Sequence, residues 1–218
     1  MGRNVFCNTW WALLVALMTV APRSLVHAAE GANAWKAHSM AHREMATLAG
    51  GCFWCMQPPY DTLHGVISTT VGYTGGTTPN PTYEEVSTGT TGHAEAVQIV
   101  YDPSKISYAQ LLEVFWKNID PTALNQQFAD AGSQYRTAIF YHTDEQRRLA
   151  EESKKRWEHS GMFGGKPVVT EIVPASTFYS AEAYHQQYYK QCPLQYKRYR
   201  LGSGREGYLR KLWGGASH

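Results

Sequence analysis

The stretch Gly50-Gly51-Cys52-Phe53-Trp54-Cys55-Met56-Gln57 leaves the backbone few choices. A glycine pair leads into a thiol, two large aromatics follow, and a second thiol stands three residues after the first. Residues 45–49 before it read as a short apolar strand, and residues 60–63 after it have helix-compatible composition until Gly65. Cys52 is therefore expected where a strand ends and a helical turn begins, and unpaired backbone N–H groups at such a position favour a thiolate over a thiol. Pro58-Pro59 complicates the helix, because proline belongs in a first turn. Either residues 52–57 form a tight turn ahead of a helix starting at Pro58, or the helix is distorted there.

The rest of the chain supplies strands and helices around this junction. Residues 66–73 are β-branched and read as a strand, and residues 75–81 as a turn-rich loop that presents Tyr83. Residues 94–101 form another strand, closed by Asp102-Pro103. Tyr108, Leu111, Leu112, Phe115 and Ile119 recur at helical spacing from about Ser107, and Pro121 ends that helix. A polar loop leads to a strand at residues 136–142, and Thr143 to Gln146 opens a charged helix running to about His159. A strand at residues 168–174 and a tyrosine-rich helix at residues 181–191 precede a long, basic C-terminal tail that is irregular until Tyr208 to Trp213. This order predicts the α/β (α+β) class: a single two-layer domain with a mixed sheet resembling a split βαβ core.

The N-terminus reads as an export signal. Arg3 lies in a short polar region, an apolar run from Ala12 to Ala21 follows, and Val26-His27-Ala28 offers a cleavage site. The run is too short for a stable membrane span, so no stable membrane insertion is expected after cleavage. The expected organisation is a signal at 1–28, a loose lead at 29–45, a catalytic domain at 46–213 and a tail at 214–218, in an exported, periplasmic or secreted protein. Cleavage leaves 218 − 28 = 190 residues, and losing Arg3 and Arg23 takes the net charge from +2 to zero. A neutral chain has no electrostatic case for nucleic acid. Cys7 leaves with the signal, so Cys52, Cys55 and Cys192 remain, which suits one exchangeable pair plus a third thiol.

Cys52 and Cys55, three apart on one helical turn, are close enough for a redox or nucleophilic pair, or for a plain structural disulfide. Met56 in place of histidine excludes a c-type haem site, and a zinc half-site lacks its second half, so neither cofactor nor metal is expected. In Gly92-His93-Ala94-Glu95-Ala96-Val97, alternation puts His93, Glu95 and Val97 on one face. A solvated strand face is the ordinary explanation. If that face lines a pocket instead, desolvation keeps Glu95 protonated as an acid. Asp130 and Tyr135 offer hydrogen-bonding groups in a polar loop, and the tyrosine-rich stretch 182–189 reads as core.

Five segments stand together in order: Gly-Cys-Phe-Trp-Cys, Gly-Tyr-Thr-Gly-Gly from Gly72, Gly-His-Ala-Glu-Ala-Val, Gly-Ser-Gln-Tyr-Arg, and Glu-Ala-Tyr-His-Gln-Gln-Tyr-Tyr. Together they resemble the A-type peptide methionine sulfoxide reductases, which act on the S epimer, from about Thr47 to Trp213. The resemblance implies that Cys52 attacks the sulfoxide sulfur and Glu95 protonates its oxygen. Tyr83 and Tyr135 would hydrogen-bond that oxygen, Asp130 would organise the polar side, and Phe53 and Trp54 would pack around the S-methyl group. Cys52 would then become a sulfenic acid that a second thiol converts to a disulfide. The implied partners are oxidised proteins and peptides containing methionine sulfoxide, and a thioredoxin-like reductant.

The chain departs from the family pattern in several places. Gln57 stands where glutamate is common and Cys55 where glycine is frequent. Gly202-Ser203-Gly204 replaces a Gly-Cys-Gly resolving site, and Ala129 stands where some relatives carry cysteine. The resolving thiol is Cys55, favoured by proximity, or Cys192. Two other readings compete: an exported Cys-x-x-Cys thiol–disulfide oxidoreductase, and a secreted binding module with a structural Cys52–Cys55 bridge.

Overall fold

Strand β1 (Glu44–Gly50) is the axis of the fold, and its last five residues are buried on both faces. The computed structural model describes residues 43–214. The signal at 1–28, the lead before residue 43 and the tail beyond residue 214 lie outside the described residues. The strand starts at Glu44, so the last two positions of the expected lead belong to the sheet.

After β1 come α1 (Phe53–Asp61), β2 (Val66–Thr74), α2 (Tyr83–Ser87), β3 (Ala94–Tyr101) and α3 (Tyr108–Trp116). A small hairpin, β4 (Gln126–Gln127) with β5 (Asp130–Ala131), leads to β6 (Thr137–Tyr141). The chain continues through α4 (Asp144–Glu158), β7 (Glu171–Pro174) and β8 (Tyr179–Ser180) to α5 (Tyr188–Gln191), α6 (Pro193–Gly202) and α7 (Arg205–Trp213). The main sheet has the order β7-β6-β1-β3-β2-β8, with β6 and β7 parallel and the remaining pairs antiparallel. Its centre, β6-β1-β3-β2 with α1 and α3 as the crossovers, is a split βαβ arrangement.

Alternation divides the two faces of the sheet. Leu48, Val97, Ile99, Tyr101 and Ile139 join Leu111, Phe115 and Trp116 in the large core under the helices, while Ala49, Ala94, Ala96 and Ala138 form a thin second core with Phe140. Ser107 starts α3 through a reciprocal capping box with Gln110, and Trp116 Nε1–H donates to Ser153 Oγ at 2.7 Å, tying α3 to α4. Among the described residues no helix is long and apolar enough to cross a membrane.

One open alternative is settled and two segments differ from expectation. Helix α1 starts at Phe53 and runs through Pro58 and Pro59, so the carbonyls of Trp54 and Cys55 receive no helical N–H. The expected helix at 181–191 is a 3₁₀ turn (Ala183–His185) and the short α5, separated by Gln187 in the left-handed region at φ 50°. Between them the Gln186 side chain acts as a strand residue, accepting from Val71 N–H at 3.0 Å and donating to Val71 O at 2.8 Å. The tail expected to be irregular up to Tyr208 is helix α6 and the first turn of α7. Pro193 sits in the first turn of α6, where its missing N–H costs nothing, and Gly204 at φ 84° turns the chain between them.

Candidate active site

Cys52 caps the N-terminus of α1 directly after the glycine pair, and it is 7% exposed. Gly51 has φ 79°, and a Cβ there would fall 2.4 Å from Gln127 Cβ and 3.0 Å from Arg205 Nη2. A Cβ on Gly50 would meet Met56 Sδ at 2.6 Å. The glycine pair is therefore what lets the chain turn under a crowded ceiling.

The first amide of α1, Phe53 N–H, donates to Glu95 Oε2 at 2.9 Å. This bond joins the turn holding Cys52 to the start of β3. His93 and Glu95 are each 2% exposed, so the strand face expected to be solvated is buried. His93 is structural: its Nδ1 accepts from Gly76 N–H at 3.1 Å, and its Nε2 meets Thr78 O at 2.8 Å, holding the loop ahead of α2. Glu95 faces the cleft. Burial pushes its carboxyl up to about 8, with the Phe53 N–H bond opposing, which favours the acid form at neutral pH.

The thiols titrate as a pair. Burial pushes the Cys52 thiol well above its ordinary value, and its hydrogen bond with Cys55 and the nearby Glu95 act in the same direction. Cys55 is fully buried, yet the hydrogen bond from Cys52 and the positive charges of Arg205 and Arg200 outweigh burial and bring it to about 7. These effects favour the anion on Cys55 over Cys52, where the helix-terminus argument put it; the chief cause is the burial of Cys52, and the first-turn N–H nearest it is turned to Glu95.

One side of the cleft is polar. Tyr83, at the start of α2, is held by its N–H to Glu182 Oε1 at 2.9 Å, and Glu182 Oε2 also accepts from Tyr73 Oη at 2.8 Å. Tyr135 closes a 3₁₀ turn after Gly132, which has φ 133°. Burial, reinforced by Glu95, pushes both phenols up, so they stay protonated donors. Asp130, on β5, accepts a hydrogen bond from Tyr199 Oη, and burial raises its carboxyl.

The other side is aromatic. Trp54 stacks on Tyr188 with centroids 3.8 Å apart, lies edge-on to Tyr199 at 5.8 Å, and donates Nε1–H to His185 Nδ1 at 2.9 Å. That bond assigns the His185 proton to Nε2, and burial keeps the ring neutral. His185 also packs against Phe53 at 5.0 Å and Tyr83 at 4.4 Å, so one buried ring backs the aromatic wall.

Cys52, Phe53, Trp54, Tyr83, Glu95, Asp130, Tyr135 and Tyr199 line one cleft. Seven of these are the residues singled out in the sequence. Cys55 lies beneath the cleft, and Cys192 caps α6 as a partly exposed thiol beside Tyr188. All three described cysteines are free thiols, and no group of three His, Cys, Asp or Glu among the described residues is placed to hold a metal ion. Tyr199, His185, Tyr188 and Arg205 were missed in the sequence. The available signal was the i, i+3 pair Tyr196 and Tyr199 inside a stretch read as irregular, and the single histidine within the tyrosine-rich stretch.

A cleft with a thiol, a protonated carboxyl, two phenols and an aromatic wall is built to hold a strong oxygen acceptor beside a small apolar group. Comparison with known proteins agrees. The sequence profile of the family described as peptide methionine sulfoxide reductase matches residues 44–216. The chain is 58% identical over 172 residues to the peptide methionine sulfoxide reductase MsrA of Bacillus licheniformis, covering 79% of this chain and 94% of that protein. It is 56% identical over 172 residues to MsrA of Bacillus subtilis, covering 79% and 97%. Among solved structures, it is similar to methionine sulfoxide reductase A of Corynebacterium diphtheriae, at TM-score 0.67 and 36% identity over 70% of this chain and 76% of that one. It is also similar to reduced Mxr1 of Saccharomyces cerevisiae, at TM-score 0.66 and 34% identity over 70% and 87%. The chain belongs to the peptide methionine sulfoxide reductase family.

Proposed function

We propose that this chain reduces the S epimer of methionine sulfoxide, free and within peptides and proteins, and that Cys52 and Glu95 carry the reaction. The observation that carries this reading is the bond from Phe53 N–H to Glu95 Oε2, which sets a protonated acid one residue from the thiol in a single cleft. Neither a general thiol–disulfide oxidoreductase nor a binding module has use for a buried neutral carboxyl flanked by two protonated phenols.

The sulfoxide oxygen is a strong acceptor and a poor leaving group until it is protonated. Tyr83 and Tyr135 donate to it, Glu95 protonates it, and the Cys52 sulfur attacks the substrate sulfur. The sulfur–oxygen bond of the substrate breaks and the oxygen stays on Cys52 as a sulfenic acid. The substrate sulfur is reduced by two electrons and Cys52 is oxidised by two; through Glu95, the thiol proton of Cys52 ends on the sulfenic oxygen. Phe53 and Trp54 hold the methyl group by apolar and sulfur–aromatic contact. With the oxygen fixed at the polar side, the methyl group at the aromatic wall and the chain pointing out, one epimer alone presents its sulfur to Cys52.

Cys55 then resolves the sulfenic acid, because it lies one helical turn from Cys52. A thioredoxin-like protein recycles the disulfide, and oxidised proteins are the substrates. The chain is exported, with residues 1–28 as its signal, to the periplasm or the exterior. Separated epimers of methionine sulfoxide, added to reduced enzyme without reductant, test this reading. The S epimer yields one methionine per protein with loss of two thiols, and peptide mapping finds Cys52 joined to Cys55. Equal turnover of the R epimer, or methionine formed by Cys52→Ser, refutes the reading; a dominant Cys52–Cys192 bridge refutes the resolving role of Cys55.

A further inference from the structure

Arg205 is the least ordinary residue outside the cleft. It is 1% exposed, and no carboxylate forms an ion pair with it among the described residues. Its guanidinium donates to Gly50 O at 2.9 Å and Asn118 O at 2.5 Å, lies 3.6 Å from Met56 Sδ, and sits over the Phe128 ring at 4.6 Å. All of these partners are neutral. A buried cation with neutral contacts alone is costly, so a fold that retains one places it beside an anion or a developing one.

Asp130 and Cys55 lie within reach of its charge, and its contacts run along the turn that carries Cys55. Gly50 precedes the Cys52 turn and Met56 follows Cys55, so the guanidinium bridges both ends of the two-thiol turn from below. We infer that Arg205 is a positioning residue for the resolving step: its buried charge holds Cys55 as the thiolate that attacks the Cys52 sulfenic acid. The inference rests on the reading that Cys55 resolves. Cys55 Sγ attacks Cys52 Sγ, the sulfur–oxygen bond breaks, and hydroxide takes a proton from Glu95 or solvent to leave as water. Cys55 is oxidised, the Cys52 sulfenyl sulfur is reduced, and the disulfide forms. The anion on Cys55, at about 7, agrees with this placement. The other charged or titratable groups that interact with Cys55 are Cys52, Arg200, Asp130, Glu95 and Tyr196.

The test is the pH profile of sulfenic acid decay after a single turnover, in wild type, Arg205→Met and Arg205→Lys. Without the cation, Cys55 moves up part of the way toward the ordinary thiol value, because the hydrogen bond from Cys52 and the charge of Arg200 remain. A more basic thiolate is scarcer but intrinsically more nucleophilic, with a Brønsted slope of about 0.45. Relative to wild type, Arg205→Met therefore resolves roughly 2-fold slower at pH 6 and roughly 2-fold faster at pH 9, a crossover that damaged packing would not produce. Arg205→Lys keeps the wild-type midpoint. An unchanged Arg205→Met profile, or one slowed equally at all pH in both variants, overturns the inference. If Arg205→Met does not fold, Arg205→Gln, which can still donate to Gly50 O or Asn118 O, takes its place, and the 240 nm titration of Cys55 in Cys52→Ser with and without Arg205→Gln decides it. A higher Cys55 midpoint in Arg205→Gln is the predicted result, and an unmoved midpoint overturns the inference. Disulfide mapping in wild type separates the two ideas, since a Cys52–Cys192 bridge removes the resolving role of Cys55 whatever Arg205 does.

Discussion

Replacing Glu95 with glutamine should make the protein more stable and less active, and the stability gain should depend on pH. The carboxyl moves from an ordinary 4.5 to about 8 on folding, chiefly through burial. Between those values the folded state holds a proton that the unfolded chain has released, so folding stability falls as pH rises. From pH 5 to pH 7 this amounts to about 2 to 3 kcal/mol in wild type, from about 1.36 kcal/mol per pH unit. Glutamine does not titrate, and its amide oxygen still accepts from Phe53 N–H. Urea unfolding under reductant at pH 5 and pH 7 compares the two proteins, with other titrating groups cancelling between them. At a slope of about 2 kcal/mol per molar urea, the midpoint advantage of Glu95→Gln should grow by roughly 1 M between the two pH values. Its first turnover should be about 10²- to 10⁴-fold slower, because the acid is gone. Parallel pH curves would refute the claim that burial holds Glu95 protonated, and a near-wild-type rate would remove it as the acid.

Gly51→Ala combines a left-handed backbone with a Cβ 2.4 Å from Gln127 Cβ, so a loss of more than about 2 kcal/mol in denaturant unfolding is expected; a loss under about 0.5 kcal/mol would contradict the packing described. Trp54→Ala removes the stacked wall facing the methyl group and should lower kcat/KM for methionine sulfoxide by roughly 10- to 100-fold, read by steady-state kinetics. Because the acid form of Glu95 is needed, the rate of methionine release should fall as pH rises through about 8, and stopped-flow or quench measurements over pH 6 to 10 check this sign.

The legible parts of the fold were those set by periodicity. The strand expected at residues 94–101 is β3 to the residue, and the helix begun by Ser107 is α3, because apolar spacing and a capping box act locally. Alternation also put Glu95 on the correct face of its strand. It could not say that the face is buried, since burial depends on α1 lying over it. Burial works against the thiolate expected at Cys52 for a related reason, and the amide expected to stabilise it bonds instead to Glu95, 42 residues away in sequence. Residues 182–205 contribute His185, Tyr188, Tyr199 and Arg205 through short elements broken at Gln187 and Gly204, where left-handed backbone interrupts any readable period. A basic stretch that looked like an irregular tail thus holds the far wall of the cleft and the cation beneath it.

The central claim is that Cys52 takes the oxygen. In Cys55→Ser/Cys192→Ser, no second described thiol remains to resolve the sulfenic acid, so it should accumulate after one turnover of the S epimer. Trapping with dimedone and peptide mapping is the direct measurement. The account predicts one methionine released and one adduct, at Cys52, per protein. Methionine formed with no adduct at Cys52, or with the adduct at another residue, would contradict it.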